Sequence, residues 1–174
     1  MTLAEKLAAT RPAPEIGSEV SSEPPLEDDD GDMEAVIRAA KAMRDIDQTH
    51  RARGRTCLIV DDSRVIRKVS SKIAASLGYI VIEAENGEEA LARCRKQMPN
   101  LVLTDWQMPV MSGPEFVAAL RTIPTPYPPK VVFCTSKSTA KDVHEGIRAG
   151  ADDYVVKPFD EATLKAKLEK LGVR

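Results

Sequence analysis

The chain has 174 residues, 43% hydrophobic and 30% charged, a composition that fits one globular domain with an appendage. No stretch approaches the roughly 18 uncharged apolar residues of a membrane span, and the opening MTLAEKLAATRPAP lacks the cationic start and apolar core of a secretory signal. The net charge of −2 divides into −5 over residues 1–54 (7 Lys/Arg, 12 Asp/Glu) and +3 over residues 55–174 (18 Lys/Arg, 15 Asp/Glu), too small a positive balance to argue for nucleic acid.

From Pro12 to Gly31 the chain is rich in Pro, Ser, Glu and Asp and has no basic residue, the composition of a disordered linker. Its run EDDDGD lacks the alternating ligands and distal Glu of a calcium loop. A helix is expected over 33–49, with Asp32 as N-cap and Met33, Val36, Ile37, Ala40 and Met43 at helical spacing. That helix could dock on the domain, pair with a partner, or remain marginal alone. Residues 1–54 therefore read as an acidic, partly disordered extension, and 55–174 as the folded domain.

The pattern changes at Arg55. Five short apolar runs follow: TCLIV (56–60), YIVIE (79–83), LVLTD (101–105), KVVFC (130–134) and DYVV (153–156). Between them, helical periodicity occupies about 64–77, 87–97, 113–121, 139–148 and 160–171, and Gly78 and Gly150 supply stops. Val- and Ile-rich strands alternating with helices predict a doubly wound α/β domain with a parallel sheet covered on both faces. Cys57, Cys94 and Cys134 are odd in number and sit in or beside apolar segments without CxxC spacing, so they read as reduced core thiols of a cytoplasmic protein.

In such sheets the functional crevice lies outside the carboxyl ends of the strands. The residues there are Asp61 and Asp62, then Glu83 and Glu85, then Asp105, Thr135 with Ser136, and Lys157 with Pro158. Each alone has a bland explanation: Asp62 as a helix N-cap, Asp105 in an Asx turn, Thr135 as a cap, Lys157 as a solvated charge. Together, three mutually repelling carboxylates need a cation, and hard oxygen ligands point to Mg²⁺. Mg²⁺, a lysine, a hydroxyl and an unshared carboxylate form a site built to accept a phosphoryl group.

The acidic pair DD (61–62), TDWQMPVMSG (104–113), CTS (134–136) and DYVVKPF (153–159) closely resemble the response-regulator receiver domain of the chemotaxis CheY-like type, over about residues 55–172. The resemblance implies a five-stranded flavodoxin-like sheet of order 2-1-3-4-5. It implies Asp105 as phosphoacceptor for a phosphohistidine on a sensor histidine kinase or phosphotransfer protein. Asp62, Asp105 and the backbone carbonyl of Gln107 become the Mg²⁺ ligands, with Asp61 holding the ion through water. Thr135 becomes the switch hydroxyl, Tyr154 the aromatic switch, Lys157 the phosphoryl partner, Pro158 a cis-proline and Gly113 a turn glycine. Ser136 is small enough to leave room for the phosphoryl group. Gln107 and Lys137 flank the approach of hydrolytic water, where families vary.

A haloacid-dehalogenase-type phosphatase shares the chemistry but needs an acid/base Asp two residues after its nucleophile, where this chain has Gln107. A flavin module would need a Ser/Thr/Gly-rich phosphate loop after the first strand. A DNA-binding regulator would need an effector domain, and the chain ends at Arg174 just after the fifth helix of the domain. The expectation is a stand-alone response regulator, not an enzyme, monomeric or weakly dimeric. It would act on a protein target through the 139–171 face, in motility control, with no nucleic acid or membrane insertion. HRARGR (50–55) leaves a cyclic dinucleotide as the alternative ligand, through Arg51, Arg53 and Arg55.

Overall fold

Runs of β-branched residues become strands because their stiff side chains pack well on a pleated surface. In the computed structural model, which describes residues 30–52, 54–136 and 139–173, there are five: β1 (Thr56–Val60), β2 (Ile80–Ala84), β3 (Leu101–Thr104), β4 (Lys130–Thr135) and β5 (Asp153–Val156). They form one parallel sheet in the order β2-β1-β3-β4-β5, the flavodoxin-like arrangement expected. Every residue of the neighbouring strands β1 and β3 is buried, as a sheet covered on both faces requires.

Alternation along each strand sends side chains to opposite faces and builds two cores. Leu58, Val60 and Val102 pack with Phe116, Val117 and Leu120 of α4 (Gly113–Arg121) and with Leu91 of α3 (Gly87–Lys96). Cys57, Ile59, Leu101 and Leu103 pack with Ala74 of α2 (Arg64–Ser76) and with Leu164 and Leu168 of α6 (Glu161–Lys170). Helix α5 (Ala140–Ala149) ends on Gly150, whose φ of 110° is the left-handed conformation that favours glycine. All three cysteines are free and buried, and burial pushes the Cys94 and Cys134 thiols up to about 12.

The structure corrects several boundaries. The second strand begins at Ile80, because the Tyr79 N–H instead closes α2 by donating to the Ala74 carbonyl. Thr135 belongs to β4 rather than to the loop after it, while Asp105 lies just past β3, its N–H still donating to the Val60 carbonyl at 2.8 Å. Ser63, not Asp62, caps α2, accepting from the Ile66 N–H, and Thr139 caps α5.

Contacts divide the chain into two units, Met1–Ala42 and Met43–Arg174. The first helix, α1 (Asp30–Ala52), is longer at both ends than the 33–49 expected, so Asp32 lies in its first turn and is not the N-cap. Acidic residues there complement the positive end of the helix dipole, which favours the earlier start. Met33, Val36, Ile37 and Met43 are exposed. The acidic stretch 12–29, Arg53 and Lys137 lie outside the described residues, as do the side chains of Asp32 and Arg51. No described helix is long and apolar enough to cross a membrane.

Candidate functional site

The carboxyl ends of β1, β3, β4 and β5 bring the singled-out residues to one rim. Asp61 follows β1 and is held on every side. Its N–H donates to the Ala84 carbonyl, its Oδ1 accepts from the Ser63 N–H at 2.9 Å, and its Oδ2 accepts from Lys157 Nζ at 2.6 Å. Lys157 Nζ also lies 3.4 Å from Asp105 Oδ1, and the Lys157 N–H donates to the Thr135 carbonyl, fixing the lysine between β4 and the cis Lys157–Pro158 peptide. Asp105 Oδ1 accepts from the Trp106 N–H at 2.7 Å. The Asp105 side chain is 18% exposed against 5% for Asp61, so Asp105 is the more accessible of the two carboxylates that Lys157 touches.

Carboxylate oxygens of Asp61, Asp62 and Asp105 lie within 4.8 Å of one another, and Lys157 balances one of their three charges. Two negative charges on hard oxygen donors remain, which fits a divalent, oxygen-preferring ion such as Mg²⁺. Burial raises the Asp105 carboxyl above its usual range; the Lys157 ammonium and the Trp106 N–H pull it back down, and Asp61 pushes it up. For Lys157, burial acts downward, but the hydrogen bond to Asp61 and the charges of Asp105 and Asp61 outweigh it, and the net direction is up.

These groups open onto a cavity of about 490 Å³, lined by Asp61, Asp62, Asp105, Ser136, Lys157 and Phe159 among others. Thr135 and Tyr154 stand apart from it. They line a void of only about 10 Å³ with Trp106, Phe133 and Gly146, where the Trp106 and Phe133 rings lie 4.9 Å apart. Tyr154 is half-buried, with Lys167 Nζ 4.8 Å above its ring; the same ammonium is bonded to Asp153 at 2.8 Å.

The loop from Asp105 to Gly113 is shaped by close approach. A Cβ on Gly113 would fall on the Asp105 carbonyl oxygen, and the Gly113 N–H donates to the Trp106 carbonyl. Gln107 is exposed on this loop. Val110, 73% exposed, has φ 70°, a left-handed conformation costly for a β-branched residue. Val110→Asn should therefore raise stability by about 1 kcal/mol in urea unfolding, since Asn tolerates that region; a lower midpoint would show the valine to be unstrained.

Residues 57–169 match the response regulator receiver domain family. The chain belongs to it. This receiver is similar to the phosphate regulon transcriptional regulatory protein PhoB of Pseudomonas aeruginosa, 35% identical over 116 residues that cover 67% of this chain and 51% of that protein. It is also similar to chemotaxis protein CheY-3 of Vibrio cholerae, 35% identical over 118 residues that cover 67% of this chain and 91% of that one. The receiver spans about half the length of the transcriptional regulators it matches. Among solved structures, the receiver domain of a P. aeruginosa sensor histidine kinase, with magnesium coordinated in its active-site cleft, has a TM-score of 0.62 at 27% identity, over 67% of this chain and 96% of that one.

Two things at the receiver's rim were not singled out from sequence. Arg67 is buried beneath it, tied to Asp61, Glu83 and Glu85. Phe159, Ile66 and Val69 form the apolar side of the cavity. Arg55 is engaged within the domain, its guanidinium 4.8 Å over the Tyr79 ring and donating to the Leu77 carbonyl.

Proposed function

We propose that this receiver takes a phosphoryl group on Asp105 from a phosphohistidine of a sensor kinase or phosphotransfer protein, and passes the change to a protein target. The observation that carries the reading is the placement of Lys157 Nζ between Asp61 Oδ2 and Asp105 Oδ1, with Asp62 alongside, on one open cavity. An Asp105 carboxylate oxygen forms a bond to phosphorus as the phosphorus–nitrogen bond breaks. The electron pair leaves with the imidazole nitrogen, which takes up a proton. Lys157 offsets charge on the transferring oxygens, Ser136 on the cavity wall leaves room for the group, and Thr135 at the end of β4 is the switch hydroxyl that would move toward it.

Asp62, Asp105 and the Gln107 carbonyl would hold Mg²⁺, with Asp61 acting through water. Bound there, Mg²⁺ supplies positive charge against the transferring oxygens. The chain's own chemistry is limited to accepting the group and losing it slowly. The output surface is the face built by α5, β5 and α6, where Ile147 and Val156 are exposed, and the setting is cytoplasmic signalling of the chemotaxis or motility type, by a protein acting alone or as a weak dimer.

Acetyl phosphate is the test. With Mg²⁺, intact-mass spectrometry should find one phosphoryl group per chain, and a chelator should prevent its uptake. Uptake that ignores the chelator, or none at all, would overturn the reading.

A further inference from the structure

Arg67 is 5% exposed on the inner side of α2, and accepting a phosphoryl group makes no direct use of it. Burying a guanidinium is costly unless its donors are satisfied. Here they are. Nη1 donates to the Asp61 carbonyl at 2.7 Å, Nη2 to Glu85 at 2.9 Å, and Nε lies 3.4 Å from Glu83. Glu83 is fixed in turn by Lys68 Nζ and Ser71 Oγ, both at 2.9 Å; the Lys68 bond, ahead of smaller effects, holds its carboxyl below the usual range.

We propose that Arg67 is a positioning residue for the cation site, clamping the peptide between Asp61 and Asp62 to the end of β2. The proposal rests on reading Asp61, Asp62 and Asp105 as that site. A peptide unit is a rigid plane, so fixing the Asp61 carbonyl also fixes the direction in which the Asp62 Cα, and hence its side chain, leaves the plane. Asp61 has three further anchors in Ala84, Ser63 and Lys157, whereas Asp62 is exposed and takes its placement from the main chain. Arg67 therefore matters most to the carboxylate that is least held by anything else.

Charge explains why the clamp has acidic partners. The cation site keeps two net negative charges only if no further positive charge is left uncompensated beside it. Glu83 and Glu85 offset Arg67 locally, so the guanidinium can sit one residue from Asp62 without competing for the ion. The fork geometry of arginine is also required. Its nitrogens reach a carbonyl and two carboxylates at once, which the single ammonium of lysine cannot do.

The test is a Mg²⁺ titration of the full chain followed by Trp106 fluorescence, the buried indole directly after Asp105. Arg67→Lys keeps the charge and loses the fork. It should weaken Mg²⁺ binding about 10-fold, the lower end of what loss of a ligand-orienting partner costs. Urea unfolding in chelator measures stability separately. A purely structural arginine would lower the unfolding midpoint and leave the Mg²⁺ dissociation constant unchanged, and that result overturns the proposal.

If Arg67→Lys does not fold, Glu85→Gln loosens the clamp at its exposed end and should weaken binding by a smaller factor, about 3-fold. That measurement belongs at about 1 M salt, where a Debye length of about 3 Å removes the general loss of negative charge as an explanation; unchanged affinity there overturns the clamp. A wild-type chain that binds no Mg²⁺ removes the site reading and the proposal together, whereas wild-type binding that Arg67 and Glu85 do not affect removes the proposal alone.

Discussion

Asp105→Asn should take up no phosphoryl group from acetyl phosphate and Mg²⁺, and its ion-free fold should be more stable than the wild type. The first effect is chemical, since an amide at Asp105 offers no carboxylate oxygen to form the acyl phosphate. The second follows from burial. Burial raises the folded Asp105 carboxyl above its unfolded value of about 3.9. A group raised in this way contributes stability that is fully present below the unfolded pKa and is lost as pH rises through the folded pKa.

At neutral pH the wild type therefore carries a partly buried charge beside Asp61, only partly relieved by Lys157 and the Trp106 N–H. Asn keeps a carbonyl oxygen for those two donors without the charge. Urea unfolding at pH 7 in chelator should show a gain of about 0.5–2 kcal/mol, the usual yield of relieving a functional site. The difference should shrink as pH falls through the raised folded value and be gone below the unfolded value of about 3.9. Labelling at the wild-type level would place the acceptor on another residue, and a less stable variant would mean that Lys157 more than compensates the carboxylate.

What the sequence made legible and what it hid have different physical causes. The sheet was readable because the strands are short β-branched runs separated by helical periodicity, and because β1 and β3, buried on both faces, are almost wholly apolar. The rim followed from topology: once the strands are parallel, whatever stands at their carboxyl ends converges. Arg67 was hidden because amphipathic reasoning turns polar residues outward. On α2 the buried residues are Arg67, Ser70, Ser71 and Ala74, while Val65 and Val69 face solvent.

That reversal depends on carboxylates at the end of β2, sixteen and eighteen residues away in the chain, which no local pattern links to Arg67. The assignment of the α2 cap failed for a smaller reason. Asp61, Asp62 and Ser63 are all competent caps, and only the backbone path decides that Ser63 is the one facing the first turn. Val110 is of a third kind, since its left-handed backbone is imposed by the loop that returns from Asp105 to Gly113 against valine's own preference.

Thr135→Ala should accept a phosphoryl group as readily as the wild type while losing the response to it. Phosphorylation adds about −1.5 to −2 charges and strong acceptor oxygens at Asp105. Thr135 is the last residue of β4, 4% exposed, and lies between the rim and the packed void under Trp106, Phe133 and Tyr154. With so little free volume there, movement of the Thr135 side chain toward Asp105 must be answered by another group, and Tyr154 is the half-buried neighbour able to follow it. Gly146 leaves no slack on the helix side, since even a Cβ there would meet the Phe133 and Trp106 rings at 3.0 Å.

Turning Tyr154 inward would also release its ring from Lys167 Nζ, which would carry the change to α6 and the face it shares with α5 and β5. Swinging such an element from about 1:99 to 99:1 takes roughly 5.5 kcal/mol of differential interaction. A hydrogen bond to a charged acceptor is worth about 1.5–3 kcal/mol, so under the proposed reading Thr135 would supply part of the drive, and Lys157, repartnered from Asp61 toward the phosphoryl group, would supply much of the rest. Removing the hydroxyl should hold most molecules in the resting arrangement even when fully phosphorylated. The readout is the Tyr154 ring in NMR spectra with and without beryllofluoride and Mg²⁺. It should shift in the wild type and stay near its resting position in Thr135→Ala. An equal shift in both would mean that the signal leaves Asp105 by a route that does not pass through Thr135.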